Sequence, residues 1–147
     1  MKFAHSLALL LIASLTIPSA LANFRIIGGG DGNESMHACP VNHYDCACMR
    51  DGDRAGQVSI NDQGLSRLPD DFFQVKAGFC GMGLLNFYKR SDGHWDFYVS
   101  NGDGTLQGKC YTPTGPVTTT ECSVSGSQYE FYVFRNELLC WGFICNN

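Results

Sequence analysis

The stretch LLNFYKR-SDG-HWDFYVS-NGDG-TLQGKCY, Leu84 to Tyr111, decides how this chain is read. Trp95, Phe97 and Val99 alternate with Asp96, Tyr98 and Ser100, the period-2 pattern of a strand with one buried face. A two-residue Asp92-Gly93 turn would set Phe97 opposite Tyr88 and mix the faces. A three-residue loop, Ser91-Asp92-Gly93 with Gly93 left-handed, pairs Phe87 with Phe97 and Leu85 with Val99. The same test on the second turn favours a two-residue Gly102-Asp103 loop with Gly102 at positive φ. That sets Val99 opposite Leu106, Gly108 under Phe97 and Cys110 opposite Trp95. The expected buried face is Leu85, Phe87, Trp95, Phe97, Val99, Leu106 and Cys110. The other face carries Asn86, Tyr88, Asp96, Tyr98, Gln107 and Lys109.

Working outward, residues 1–22 read as a secretory signal peptide. Lys2 precedes an apolar run too short to span a membrane, and Ala20-Leu21-Ala22 is an Ala-x-Ala cleavage site. The mature chain of about 125 residues has the size of one domain. Residues 23–36, with the Gly28–Gly30 triplet, read as a loose flexible arm ahead of a cysteine-rich β domain over 37–147. Arg25-Ile26-Ile27-Gly28-Gly29 looks like the activation site of trypsin-like proteases. The chain is about half the length of such a fold and lacks a Gly-Asp-Ser-Gly-Gly segment, so the likeness is accidental. Asn33 opens the one N-glycosylation sequon.

Without Lys2 the chain has 9 Lys and Arg against 14 Asp and Glu. An acidic protein with no basic patch is a poor match for nucleic acid or an anionic membrane surface. The eight cysteines, Cys39, Cys46, Cys48, Cys80, Cys110, Cys122, Cys140 and Cys145, all follow the signal. An even count in an exported chain predicts four disulfides, with 105 possible connectivities. Cys46 and Cys48 are expected to bridge to different partners.

Two metal readings arise. Cys39, His43, Cys46 and Cys48 can be drawn as a zinc site, but the Cys-x-Cys spacing and an oxidising compartment favour disulfides. Asp51 to Asp62 resembles an EF-hand calcium loop through Asp51, Asp53 and Asp62, with Gly56 and Val58 in place. Ala55 stands at its fifth ligand position and no helix pattern precedes it, so a polar turn into a short strand, Gln57 to Ile60, is preferred. No metal or cofactor is expected.

Pro69, Asp70 and Asp71 followed by Phe72, Val75 and Phe79 at helical intervals predict one short helix. Beyond the meander, Thr118 to Val124, Tyr129 to Arg135 and Leu138 to Cys145 read as strands, the last two separated by an Asn136-Glu137 turn. The fold class is therefore mainly β: a disulfide-stapled antiparallel sandwich or barrel of six to seven short strands with one short helix, the alternative being α+β.

Catalytic groups are scarce. His94, Glu130 and Arg135 can be cast as a ribonuclease set, but His94 beside a hairpin turn reads as a solvated residue opposite Arg90. No Gly-x-Ser-x-Gly, His-Glu-x-x-His or phosphate-loop motif is present. The outward face of the meander is the better candidate. Tyr88, Asp96, Tyr98, Gln107 and Lys109 combine aromatic rings with short polar groups, which suits sugar recognition or a protein partner. The competing expectation is that another element covers this face, with Asp96 and Lys109 a cross-strand ion pair.

The signal at Met1 to Ala22, the short mature chain, the eight cysteines and the lack of a catalytic motif make the whole chain resemble the small secreted cysteine-rich proteins of filamentous fungi, many of them candidate effectors of plant pathogens. The resemblance implies an extracellular, non-enzymatic protein that binds a host protein or cell-wall glycan, or modulates host immunity, and some proteins of that type are recognised by the host as avirulence factors. A glycan-binding module is the second expectation and a small secreted hydrolase or ribonuclease the third.

Overall fold

A computed structural model describes residues 24–30, 35–41, 48, 56–114, 119–123, 131–142 and 144–145. They form one antiparallel sheet of ten strands: β1 Phe24–Gly30, β2 Ser35–Pro40, β3 Val58–Ile60, β4 Gln63–Gly64, β5 Phe72–Val75, β6 Leu85–Lys89, β7 Trp95–Val99, β8 Leu106–Tyr111, β9 Thr119–Ser123 and β10 Phe131–Gly142. The order is β2-β1-β10-β8-β7-β6-β5-β3-β4, with β9 beside the first half of β10. The two ends of the sheet then meet. His37 bridges to Gln57 just before β3, and the Met36 amide donates to the Leu65 carbonyl at 2.9 Å. The result is a nearly closed barrel, which leaves few unpaired strand edges.

Alternate residues fill the interior. Phe73, Phe87 and Phe97 stack in a row across β5, β6 and β7, with ring centroids 4.5 and 5.0 Å apart. Phe24 meets Phe97, Phe87 and Phe79 edge-on, and Trp95 leans on Phe73 at 4.9 Å. These rings are buried together with Ile26, Val58, Val75, Leu85 and Leu138. Offset and edge-on contacts place positive ring edges on negative faces, adding to the hydrophobic gain.

The first hairpin forms as the alternation predicts, with Phe87 opposite Phe97, Leu85 opposite Val99, and Gly93 at φ 93°. Trp95 faces Cys110 and Phe97 faces Gly108, also as predicted. The second turn differs. Asn101 and Gly104 carry the positive φ values, 57° and 83°, and Asp103 caps the Thr105 amide at 2.9 Å. Hydrogen bonds from the Thr105 side chain and amide hold the Asp103 carboxyl below the usual carboxylate range. The longer loop is absorbed by a bulge: Tyr98, not Val99, lies opposite Leu106, and Gln107 is the extra residue. Leu106 is consequently exposed.

Three further expectations are corrected. The loose arm expected over 23–36 is strand at its described residues, 24–30 and 35–36. Residues 24–30 are an interior strand held between β2 and β10, with Phe24 and Ile26 fully buried. The glycine triplet hid this, because it removes the alternation a strand would otherwise show. The helix expected from Pro69 to Phe79 is instead β5 followed by one 3-10 turn at Phe79–Gly81. Phe73 and Val75 point inward at period 2, whereas the helical spacing counted Phe72, which is half-buried on the outside. The turn expected at Asn136-Glu137 is a bulge within β10, where the partner of Ile26 is Leu138 and that of Ile27 is Asn136.

Disulfides join Cys39 to Cys48, Cys80 to Cys145, and Cys110 to Cys140. The last pair are directly opposed residues of β8 and β10. Cys39 and Cys48 are thus unavailable as zinc ligands. Cys46, His43, Asn33, Asp51, Asp53, residues 1–22 and the Cys122 side chain lie outside the described residues. Asp62 is exposed in the β3–β4 turn at φ 66°. Among the described residues no group of three or more His, Cys, Asp or Glu could hold a metal, and no helix is long and apolar enough to cross a membrane.

The seam carries a pH consequence. His37 lies on β2 with its Nδ1 buried and without a hydrogen-bond partner, and burial pushes its pKa below the ordinary 6.5. Between those two values the unfolded chain binds more protons than the folded one, so acid favours unfolding there. The urea midpoint is expected to fall as pH drops from about 7 to about 5, and this fall is expected to shrink in His37→Gln. An unchanged pH profile in that variant would show that the seam histidine does not titrate in this window.

Candidate functional site

Alternation in β5 to β8 and in β10 sends a second set of side chains to the outside of the barrel. Tyr88 lies across from Phe72 on one side and Asp96 on the other, and Asp96 lies across from Lys109. Lys109 in turn faces Trp141, and Tyr111 faces Leu139. Five adjacent strands therefore share one continuous outer surface. The Tyr88 ring packs at 5.1 Å from Phe72 and 6.1 Å from Tyr98. At the other side His94 stacks on Tyr111 at 5.6 Å, and Tyr111 meets Trp141 edge-on at 5.5 Å.

Asp96 ties the two aromatic groups together. Arg90 Nε donates to Asp96 Oδ2 at 2.6 Å, and the Arg90 guanidinium also donates to the Tyr98 hydroxyl at 2.7 Å. His94 Nε2 meets Asp96 Oδ1 at 3.0 Å, while its Nδ1 faces Asp92 Oδ1. Asp96 is only 7% exposed. Burial pushes its carboxyl up, but the hydrogen bonds from Arg90 and His94 outweigh that and hold it below the usual carboxylate range. The same contact raises the Arg90 guanidinium above its ordinary value. Burial likewise acts upward on Asp92, and the His94 amide and ring more than offset it. Arg90 and Asp96 are therefore both charged at neutral pH, and the network fixes Tyr98, which would otherwise lose rotamer freedom on binding.

The sequence-predicted residues Tyr88, Asp96, Tyr98, Gln107 and Lys109 all lie on this surface. The expected partner of Asp96 was wrong: it pairs with Arg90, because the three-residue hairpin loop brings Arg90 back over β7, whereas Lys109 forms no ion pair among the described residues. Tyr98 faces Leu106 rather than Gln107, as the bulge dictates. No described element covers the face, since Tyr88 and Tyr111 remain 42% and 44% exposed. His94 does lie opposite Arg90 through its backbone, with the Arg90 amide donating to the His94 carbonyl at 2.8 Å. Its side chain is not solvated, being 13% exposed.

For the ribonuclease set, Glu130 lies outside the described residues, and Arg135 sits on β10 with Glu137 at 3.8 Å. Arg90, His94, Tyr111 and Trp141 were missed as members of the face. The signal for Tyr111 and Trp141 was present, as outward positions of β8 and β10. What was missing was the β8–β10 pairing that brings them together.

An open slot of about 420 Å³ lies on this face between Leu106, Gln107, Lys109, Tyr111 and Trp141, over the backbone of Gly108 and Gly142. That volume lies within the usual range of small-ligand sites. No family model, curated protein or solved structure matches this chain.

Proposed function

We propose that this is a secreted protein that acts outside the cell by binding a glycan on the outer face of its barrel, without turnover. The observation that carries the reading is the uncovered surface of Tyr88, Tyr98, Tyr111 and Trp141 built around a charged network centred on Asp96. Sugar rings present apolar C–H faces that pack on aromatic rings, and their hydroxyls pair with fixed polar groups. Both requirements are met on one face. The signal-like leader and the disulfides support an oxidising, extracellular setting. His94 and Asp96 are engaged with one another and with Asp92 and Arg90, which favours a positioning role for them over proton transfer.

The test is retention of the oxidised protein on insoluble chitin, cellulose and glucan, with Tyr98→Ala alongside. The native protein is retained on at least one matrix, and Tyr98→Ala weakens binding by about tenfold, the equivalent of roughly 1.4 kcal/mol. Retention that Tyr98→Ala leaves unchanged would move the site elsewhere. No retention on any matrix would overturn the glycan reading and turn the same tyrosines into candidate contacts for a host protein, since tyrosine is enriched at protein hot spots.

A further inference from the structure

We infer that the sugar seated in the Tyr111–Trp141 slot carries a carboxylate, and that Lys109 is the group that recognises it. The inference rests on the glycan reading above. The charge arrangement is the argument. Both oxygens of Asp96 are engaged, Oδ2 with Arg90 and Oδ1 with His94. Lys109 lies directly across from Asp96 on one side and Trp141 on the other, yet it forms no ion pair among the described residues. An acidic protein, net charge −4, thus keeps an uncommitted ammonium at the edge of its aromatic slot.

The rest of the slot fits a sugar acid. Tyr111 and Trp141 form two aromatic walls inclined at 72° to one another. The floor between them is the backbone of Gly108 and Gly142, whose missing side chains would face Phe97 on the inside of the barrel. The Gln107 amide nitrogen donates to the Thr105 carbonyl at 3.1 Å, and its oxygen is an acceptor of the kind that sugar hydroxyls pair with. An ammonium offers three donors and no acceptor, and its hydrogen bonds to a carboxylate are stronger than those to a neutral hydroxyl. The overall negative charge disfavours a dense polyanion, so the ligand presents one carboxylate to this slot, as a hexuronic acid residue does.

The experiment is calorimetric titration of the native protein with galacturonic and glucuronic acid trisaccharides, their methyl esters and the corresponding neutral trisaccharides. At low ionic strength at least one acid form is expected to bind about tenfold tighter than its ester, a preference that added salt reduces. In Lys109→Gln the ratio of acid to ester falls to about one, while in Trp141→Ala both forms weaken by about tenfold. Equal binding of acid and ester by the native protein, or a ratio that survives Lys109→Gln, overturns the inference. If neutral sugars bind without any preference for acid, the inference falls and the glycan reading stands. If no saccharide binds in solution or on the matrices, both fall. Thermal unfolding checks that each variant is folded, and the salt dependence of the native protein tests the charge contact without any substitution.

Discussion

Gly108→Ala is expected to lower the stability of the oxidised protein by about 3 kcal/mol or more, which would move the thermal midpoint by at least roughly 10 °C. A Cβ at this position would run into the carbonyl oxygen of Trp141 and come within 2.7 Å of two carbons of the Phe97 ring. Neither neighbour can give way cheaply. The carbonyl belongs to the β8–β10 ladder, which the Cys110–Cys140 disulfide pins two residues further along β8. The ring is clamped between Phe87 at 5.0 Å and Phe24 at 5.4 Å. Close-packed interiors do not absorb an extra methyl by compression, so the change must shift backbone or unstack the phenylalanines. Gly83→Ala is the control: its Cβ would touch only a Val99 methyl at 3.4 Å, and it is expected to stay within about 1 kcal/mol of the native protein. If Gly108→Ala yields no folded protein, Gly142→Ala tests the same contact from the opposite strand, where the Cβ meets Phe97 at 2.7 Å and the Gln107 carbonyl at 2.8 Å. Gly108→Ala behaving like Gly83→Ala would refute the placement of Phe97 beneath these two glycines.

The position of Gly108 under Phe97 was legible in the sequence, and the reason is instructive. Side chains alternate strictly along a strand, so one correct loop length orders a whole hairpin. Ser91-Asp92-Gly93 gave that length, and the pairs Phe87–Phe97, Trp95–Cys110 and Asp96–Lys109 all followed. The method reached its limit where an extra residue enters one strand. Gln107 in β8 and Glu137 in β10 are such residues, and nothing local to either announces a bulge. Counting residues around Asn101 to Gly104 therefore pointed Leu106 inward, and the Asn136-Glu137 pair read as a turn.

Long-range pairing was the second limit. Strand β1 lies between β2 and a strand more than a hundred residues later, so one of the two neighbours that enclose it is remote in sequence. The candidate site divides along the same line. Tyr88, Asp96, Tyr98 and Lys109 come from consecutive strands and were found by alternation. Trp141 joins Lys109 only through the β8–β10 ladder, and Arg90, opposite His94, reaches Asp96 along a diagonal that pairing of direct neighbours does not reveal.

Asp96→Asn is expected to weaken ligand binding by about thirty- to a hundredfold, more than the loss of any single ring, because three side chains take their positions from one carboxylate. Without its charge, Arg90 loses its strongest acceptor, His94 loses the contact at Nε2, and the Tyr98 hydroxyl is held only by a guanidinium that is itself released. Each group then has rotamer freedom to lose on binding, which a prearranged surface avoids. The acid behaviour of the two proteins gives an independent reading of the same network. The folded-state pKa of Asp96 lies below its unfolded value, so its contribution to stability is present in full above the ordinary carboxylate range near 4 and is lost as pH falls through the lowered value. Unfolding midpoints followed from about pH 5 down to about pH 2 should therefore fall more steeply in the native protein than in Asp96→Asn. Asp92 and Asp103 are lowered too and leave a residual slope of the same sign in the variant. His37 acts with the same sign on descending from about pH 6.5 and is present in both proteins, so the difference between them isolates the carboxylate. Identical acid profiles for native protein and Asp96→Asn would mean that the carboxylate is not held by Arg90 and His94, and that Tyr98 is oriented by something else. Unchanged binding in the variant would detach recognition from the network, leaving the rings alone to account for it.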